Sequence, residues 1–434
     1  MSDSAKNTTK TAIVQPKIQS NRKLWSRPFS PIKITAIWIL WLIAKLVIIA
    51  GVHAEPMPTG DAHYYFYGIT HPESDALNEY PALLLAPLQL LALFSNDENA
   101  FTIALIIATI ALDAIFLCFI LCQKQKGTFS ASVFWIFFTV TALHMSVLRL
   151  DIIPGVCIGI FALALFTSPT FSSAILAIAT MLKLWPGVLA AGLLSSKKKM
   201  SARTVEVFGA TILLIALSII GASGITRITS PLTYQSDRGL QIESFWATPF
   251  MLLHGIPGLS DGSYEIFYAP SKSFEISGPG VSTALMISSI GFGLLIIFCL
   301  LWAVKTLRAP YTYDPLVTLS WTVTIIICLL VTNKVFSPQY LVWLGPILSI
   351  CLLKQPHNKY VRLLCILCLV ITALGTYIYP FHYGDIMQAD IFSWALVALA
   401  ARNILVFISA IISACWLKQT LSNSPTRNNQ FSEK

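Results

Sequence analysis

Residues 34–52 read ITAIWILWLIAKLVIIAGV, an apolar stretch carrying one charge, Lys45. A helix needs about 20 such residues to cross a bilayer, where every backbone N–H and C=O must be paired within the segment. Further long runs lie at 100–122, 128–147, 150–167, 171–194, 204–225, 280–304, 314–331, 338–353, 360–380 and 391–417, with a shorter one at 81–95. Over 434 residues, 56% are hydrophobic and 11% charged, and the mean hydropathy is +0.72, which excludes a water-soluble domain. The chain reads as an all-α polytopic membrane protein of ten to twelve spans. Its first run is too long for a signal-peptide core, although Val52-His53-Ala54 faintly resembles a cleavage site, and it reads as an uncleaved span.

Short cytoplasmic loops keep lysine and arginine, and this sets the orientation. The segment 1–33 carries Lys6, Lys10, Lys17, Arg22, Lys23 and Arg27 against Asp3 and reads as a cytoplasmic tail. Lys197, Lys198, Lys199 and Arg203, then Lys305 and Arg308, then Lys354, Lys359 and Arg362 fit the same side. The loops 53–80, 226–279 and 381–390 then face outward, around a membrane domain spanning 34–417, and the polar tail 418–434 returns to the cytoplasm. Counting 81–95 as a span would put Lys124 and Lys126 outside, and its prolines, Pro81 and Pro87, argue against it. Without that span, the stretch 150–194 must contain a re-entrant element. The expected location is the cell membrane, with both termini cytoplasmic.

The net charge of +9 resides mainly in the tail and the cytoplasmic loops, so topology and anionic lipid account for it better than nucleic acid does. All nine cysteines fall in apolar segments, which leaves no disulfide framework for the outer loops. Cys365 and Cys368 have CxxC spacing, but inside an apolar helix the structural reading outweighs a metal or redox one.

Three outward clusters could carry chemistry. The densest is Gly60-Asp61-Ala62-His63-Tyr64-Tyr65-Phe66-Tyr67-Gly68, followed by Glu79-Tyr80-Pro81. A carboxylate among aromatic rings at the membrane surface suits proton abstraction from a sugar hydroxyl, with the rings stacking on sugar faces. An interfacial aromatic belt beside an ordinary aspartate explains the same residues, and both readings stand. The second cluster is Tyr234, Asp237, Arg238, Gly239, Gln241, Glu243, Ser244, Trp246 and Pro249, where Arg238 could hold a phosphate or pair locally with Asp237 or Glu243. The third is Asn333-Lys334-Val335-Phe336-Ser337-Pro338-Gln339-Tyr340. Ionisable groups within spans are costly and point to function: Lys45, Asp113, Arg149, Asp151 and Lys183 qualify. Asp113 could instead pair internally, for example with Lys183 or Arg149, and hold the bundle together.

In this order the motifs resemble the GT-C glycosyltransferases, and within them the actinobacterial family 87 polyprenol-phosphate-mannose-dependent mannosyltransferases. The resemblance rests on Gly60-Asp61-Ala62-His63-Tyr64-Tyr65 with Glu79-Tyr80-Pro81, on Arg149-Leu150-Asp151 with Pro154, and on Lys183-Leu184-Trp185-Pro186. Arg238-Gly239-Leu240-Gln241-Ile242-Glu243-Ser244 with Trp246-Ala247-Thr248-Pro249, and Asn333-Lys334-Val335 with Ser337-Pro338-Gln339-Tyr340, extend it over 34 to about 355. Ala82 after Tyr80-Pro81 departs from the commoner tyrosine-proline-proline pattern.

The resemblance implies a GT-C-like bundle with extracytoplasmic loops carrying the site and Asp61 as general base. The donor would be polyprenyl phosphate mannose and the acceptor a lipid-linked mannoside or envelope glycan. Transfer would invert the β-linked phosphosugar to an α-mannoside, with an α-1,2 linkage, and would require no metal or other cofactor. Substrate contacts would come from His63, Tyr64, Tyr65, Glu79, Tyr80, Arg149, Asp151, Lys183, Arg238, Glu243, Trp246, Lys334 and Gln339. Arg238 is the first expected phosphate partner and Lys334 the second. His63 would orient Asp61 or contact sugar. The rival class is a secondary transporter with buried ionisable groups, though the opposite half of the chain holds no second copy of the Asp61 or Arg238 cluster. A non-catalytic assembly partner would leave both clusters without a role.

Overall fold

The computed structural model describes residues 31–194, 198–236, 238–256, 262–308, 313–388 and 393–424. The basic tail from Asp3 to Arg27, Lys197, Asp237, residues 389–390 of the last outer loop and the polar segment 425–434 lie outside them, as do the side chains of Lys198 and Tyr234. Among the described residues the architecture is almost wholly helical, as the apolar runs require.

The chain begins with α1 (Pro31–Ala54), the short α2 (Thr59–Thr70) and α3 (Ala82–Ala92), then α4 (Glu98–Cys122) and α5 (Thr128–Ala142). A single turn, α6 (His144–Val147), leads to α7 (Ile152–Ala164) and α8 (Pro169–Leu182), and a 3₁₀ helix covers Trp185–Leu193. Next come α9 (Lys198–Ser223), α10 (Thr226–Ser236), α11 (Thr248–His254) and a hairpin of β1 (Glu265–Tyr268) and β2 (Phe274–Ser277). That hairpin is antiparallel, with Glu265 opposite Ser277 and Tyr268 opposite Phe274. The remainder is α12 (Val281–Arg308), α13 (Pro315–Thr332), a 3₁₀ lead-in at Pro338–Trp343, α14 (Leu344–Lys354), α15 (Lys359–Thr376), α16 (Tyr383–Gln388) and α17 (Trp394–Asn423).

Among the described residues, seven helices are long and apolar enough to cross a membrane unaided: α1, α4, α9, α12, α13, α15 with its continuation to Phe381, and α17. The protein is therefore a multi-pass membrane protein. Polar caps set where several begin. Asp97 accepts the Ala100 N–H at 2.8 Å, and Ser168, Asp314, Asn358 and Ser393 cap α8, α13, α15 and α17 in the same way, with Pro169 and Pro315 at first helical positions. The final helix continues to Asn423, past the boundary at 417 read from the sequence.

The shorter helices differ from the expected spans because their apolar runs contain breaks that hydropathy does not register. Residues 128–147 are interrupted at Leu143, whose φ of 42° and ψ of −114° end α5. The run 171–194 is two pieces: α8 climbs to Lys183, which is extended, and the 3₁₀ helix opened by Trp185-Pro186 takes the chain back. Thr318 Oγ1 donates to Gly192 O at 3.0 Å near the start of α13, so α8 and this 3₁₀ helix form a re-entrant hairpin. The run 81–95 becomes α3, whose 11 residues span about 16 Å at 1.5 Å per residue, too short to cross.

Contacts sort the chain into two ends. At one, Lys354 Nζ donates to Gln125 Oε1 at 3.3 Å, Tyr313 OH to Leu165 O at 3.3 Å, and Asn358 Nδ2 to Gln419 Oε1 at 2.9 Å. Lys305 and Arg308 close α12, which runs away from the site end. At the other end sit α2, α6, α10, α11, the hairpin and α16. Between them α13 and α14 form the centre: Trp321, Ile325, Ile347 and Ile350 are inaccessible. Glycines allow the tightest approach, since a Cβ at Gly155 would meet Val342 O at 2.9 Å and one at Gly345 would strike the Phe138 ring.

Candidate active site

The helix α2 lies across the mouth of the bundle and places Asp61 in its first turn, where the helix dipole favours negative charge. Asp61 and Tyr65 are one turn apart and face the interior; Tyr65 is buried. Opposite them, the link between α6 and α7 presents Arg149. Its Nη2 lies 2.5 Å from Asp61 Oδ2 and donates to Tyr379 Oη at 3.0 Å, and Tyr379 OH donates to Asp61 Oδ2 at 3.5 Å. Tyr379 reaches this position because helical geometry is lost after α15, before Pro380, and its own backbone is extended. The Asp61 and Arg149 side chains are 25% and 13% exposed, so the couple is reachable from outside the fold. Arg149 Nε has no hydrogen-bond partner among the described residues.

Two residues beyond Arg149, a second couple is more deeply set. Asp151 is buried and accepts at one oxygen from Lys183 Nζ at 2.5 Å and from Trp343 Nε1 at 2.6 Å. Trp343 is stacked between Trp185 and Tyr340, each 4.5 Å away between ring centres, and the Lys183 ammonium lies 4.9 Å from the Tyr340 ring and 5.2 Å from Trp343. Lys183 is therefore fixed at the tip of the re-entrant hairpin by charge and by aromatic faces.

On the other flank Tyr65 and Tyr80 share a hydrogen bond at 3.4 Å, with their rings edge to face. Tyr64 OH donates to Glu79 Oε1 at 2.9 Å and accepts from the Leu77 N–H at 2.9 Å and from Lys272 Nζ at 2.5 Å. Burial pushes the Asp61 carboxyl above its ordinary range, against the opposing pull of Arg149 and the Tyr379 hydroxyl. Burial also raises the Tyr80 phenol well above its usual value. A carboxylate more basic than a solvated one, bonded to a fixed cation, is suited to accepting a proton from a hydroxyl.

The segment 238–249 closes over this end. Glu243 is buried and pairs with Arg402 Nη1 at 2.7 Å, and Asn403 Nδ2 donates to Glu243 O, Ser244 O and Thr248 Oγ1. Burial raises the Glu243 carboxyl, with Arg402 as the main opposing charge. The Tyr383 hydroxyl also opposes that rise, and its ring meets the Tyr379 ring edge-on at 5.3 Å, which links this junction to the Asp61 group. Gln241 Oε1 accepts the Phe336 N–H at 2.7 Å, and Lys334 Nζ donates to Arg238 O at 2.6 Å. Trp246 Nε1 and Gln339 Oε1 are buried with no hydrogen-bond partner among the described residues.

Comparison with protein-family models, curated proteins and solved structures gave no match. The site therefore rests on its own geometry. Asp61, Tyr65, Tyr80 and Arg149 come together; Asp151 and Lys183 sit alongside; Tyr64 and Glu79 form a rim. His63 faces away from the sequence-expected partner: its Nδ1 lies 3.8 Å from Glu98 Oε2. Glu243 is held by Arg402, not by Arg238, and Asp113 is paired with Lys45 at 2.7 Å, not with Lys183 or Arg149. No described contact joins Arg238 or Lys334 to Asp61. Among the described residues, no three His, Cys, Asp or Glu side chains gather as a metal site would require.

Sequence reasoning missed Tyr379, Trp343, Tyr383 and Arg402. Arg402 had a signal, being an arginine within the last apolar run. The three aromatics had none that distinguishes them from an interfacial belt.

Proposed function

We propose that the protein is a membrane glycosyltransferase that moves a sugar, mannose in the reading the motifs favour, from a polyprenyl phosphate donor to an envelope glycan or lipid-linked mannoside. The observation that carries this reading is the Asp61–Arg149–Tyr379 group, a basic carboxylate bonded to a fixed cation at the open end of the bundle. Asp61 takes the proton of an acceptor hydroxyl as its oxygen attacks C1 of the sugar. The C1–O bond to phosphate breaks on the opposite face, inverting the centre, and the lipid phosphate leaves with the electron pair.

A phosphate leaving group needs charge stabilisation more than protonation. Arg149 and Lys183, 13% and 21% exposed, are the cations beside the carboxylates, and they take this role ahead of Arg238 and Lys334. The clustering of Lys354, Lys359, Lys305 and Arg308 at the opposite end supports a cytoplasmic position for that end and an outward-facing site. Lys124 and Lys126 join them, because α3 does not cross.

A transport reading would draw on the buried Lys45–Asp113 couple. That couple is enclosed by Trp41, Trp135 and Thr139, which supports a packing role better. The test is transfer from synthetic short-chain polyprenyl phosphate mannose by purified protein in detergent, across a panel of mannoside acceptors. The expected result is a mannoside of inverted configuration. A folded protein that transfers to none of them would overturn the reading.

A further inference from the structure

Beside the Asp61–Arg149 couple, a concavity of about 450 Å³ opens between the first outer loop and the β1–β2 hairpin. Its volume lies within the roughly 300–1,000 Å³ of small-molecule sites. Tyr64 and Tyr67 supply ring surface, Asp75 and Asn78 supply acceptors and donors, and Lys272 closes the far wall. Tyr67 is 49% exposed and stacks on His71 at 4.5 Å, which leaves its ring held in place but accessible.

The groove is built, not incidental. Lys272 adopts φ 54° in the hairpin turn, a left-handed conformation that a lysine seldom takes, and its ammonium reaches Tyr64 Oη. Leu77 is also left-handed, at φ 63°, and its N–H fixes the same oxygen while its carbonyl accepts from Arg227 at 2.8 Å. Arg227 also donates to Asn78 Oδ1 at 2.9 Å, so α10 braces the wall. Glu79, bonded to the Tyr64 hydroxyl through Oε1, keeps its Oε2 buried with no hydrogen-bond partner among the described residues.

We propose that this groove is a saccharide subsite that holds the non-reacting sugars of the acceptor, so that its terminal hydroxyl lies toward Asp61. The chemistry favours a neutral polyol. Aromatic faces beside carboxylate and amide groups match the apolar faces and hydroxyl edges of a sugar ring. Asp75 in the lining disfavours an anion, and both nearby cations are already engaged, Lys272 with Tyr64 and Arg227 with Asn78 and Leu77. The groove lies close to the base: Tyr64, which lines it, and Tyr65, one turn from Asp61, are adjacent, with ring centres 6.3 Å apart.

This inference rests on the transfer reading, and its test separates the two. Saturation-transfer NMR with α-mannobiose and α-mannotriose, on protein in lipid nanodiscs, should show saccharide signal for wild type and for Asp61→Asn. Tyr67→Ala and Asp75→Ala should reduce it at least fivefold, and Tyr67→Phe should restore it. In the transfer assay Tyr67→Ala should narrow the preference for longer over shorter acceptors about tenfold, whereas a merely structural effect would move both alike. Saccharide signal without transfer would retain the groove and strike the transfer reading. No signal in wild type, or signal unchanged in both alanine variants, would overturn the groove.

Discussion

Two of the aspartate–cation couples in this bundle, at its open end and within its core, share a chemistry and differ in surroundings. Asp61–Arg149 is 25% and 13% exposed and is bonded on its free side by the Tyr379 hydroxyl. Lys45–Asp113 is 4% exposed on both sides, with Trp41 Nε1 at 2.6 Å from the carboxylate and Thr139 Oγ1 at 3.0 Å from the ammonium. The first can exchange its partner for a substrate. The second ties α1 to α4 and α5 and has nowhere to send a proton. An ionisable group inside an apolar run is thus a functional signal only when access accompanies it.

Breaking the sealed couple should have the largest effect on stability. Lys45→Met leaves Asp113 buried without its cation, which costs about 3–5 kcal/mol, and thermal unfolding in detergent should show it. Lys45→Met combined with Asp113→Leu should recover most of that loss. A single variant as stable as wild type would show that the couple is not a tie.

Removing the cation from the open couple should act on rate. Arg149→Gln should slow transfer about 100-fold, in line with the loss of one fixed donor to developing charge, with little change in unfolding temperature. Equal losses of rate and stability would make Arg149 structural as well.

The pH dependence sharpens the same contrast. Asp61 acts as a base only when ionised, so transfer should fall as pH drops through its carboxyl pKa. Burial raises that pKa, so the acidic limb of the rate profile should lie above the ordinary carboxylate value of about 4. Arg149→Gln removes the opposing charge and should shift the limb upward, and a limb that stays in place would contradict the coupling.

The smallest effect is expected from labelling. Single cysteines at Thr59 and Lys126, in a cysteine-free background, should retain activity and react from opposite sides of the membrane. Reaction from one side would restore 81–95 as a span.

Much of this was legible in the apolar runs. The long helices match them closely, because a run of some twenty apolar residues with internal backbone pairing has one stable outcome in lipid. The breaks were legible only in part: topology required a re-entrant element within 150–194, which is the hairpin turning at Lys183, whereas Leu143 departs from helix in a run of unchanged hydropathy. Pro186, beside Trp185, was the one visible mark. Asp61, Arg149, Asp151 and Lys183 stood out in the sequence as charges near or within apolar segments, but their pairing did not, since spacing along the chain does not show which helix ends meet. Tyr379 lies 318 residues from Asp61, beyond any local pattern.

The most direct test compares Asp61→Asn with Asp113→Asn in the polyprenyl phosphate mannose transfer assay, with rates expressed per folded molecule. Loss of a general base typically costs 10²–10⁴-fold, so Asp61→Asn should lose about that much while Asp113→Asn, though less stable, keeps its rate. Wild-type transfer by Asp61→Asn, or equal loss in both variants, would contradict the assignment of Asp61 as the base.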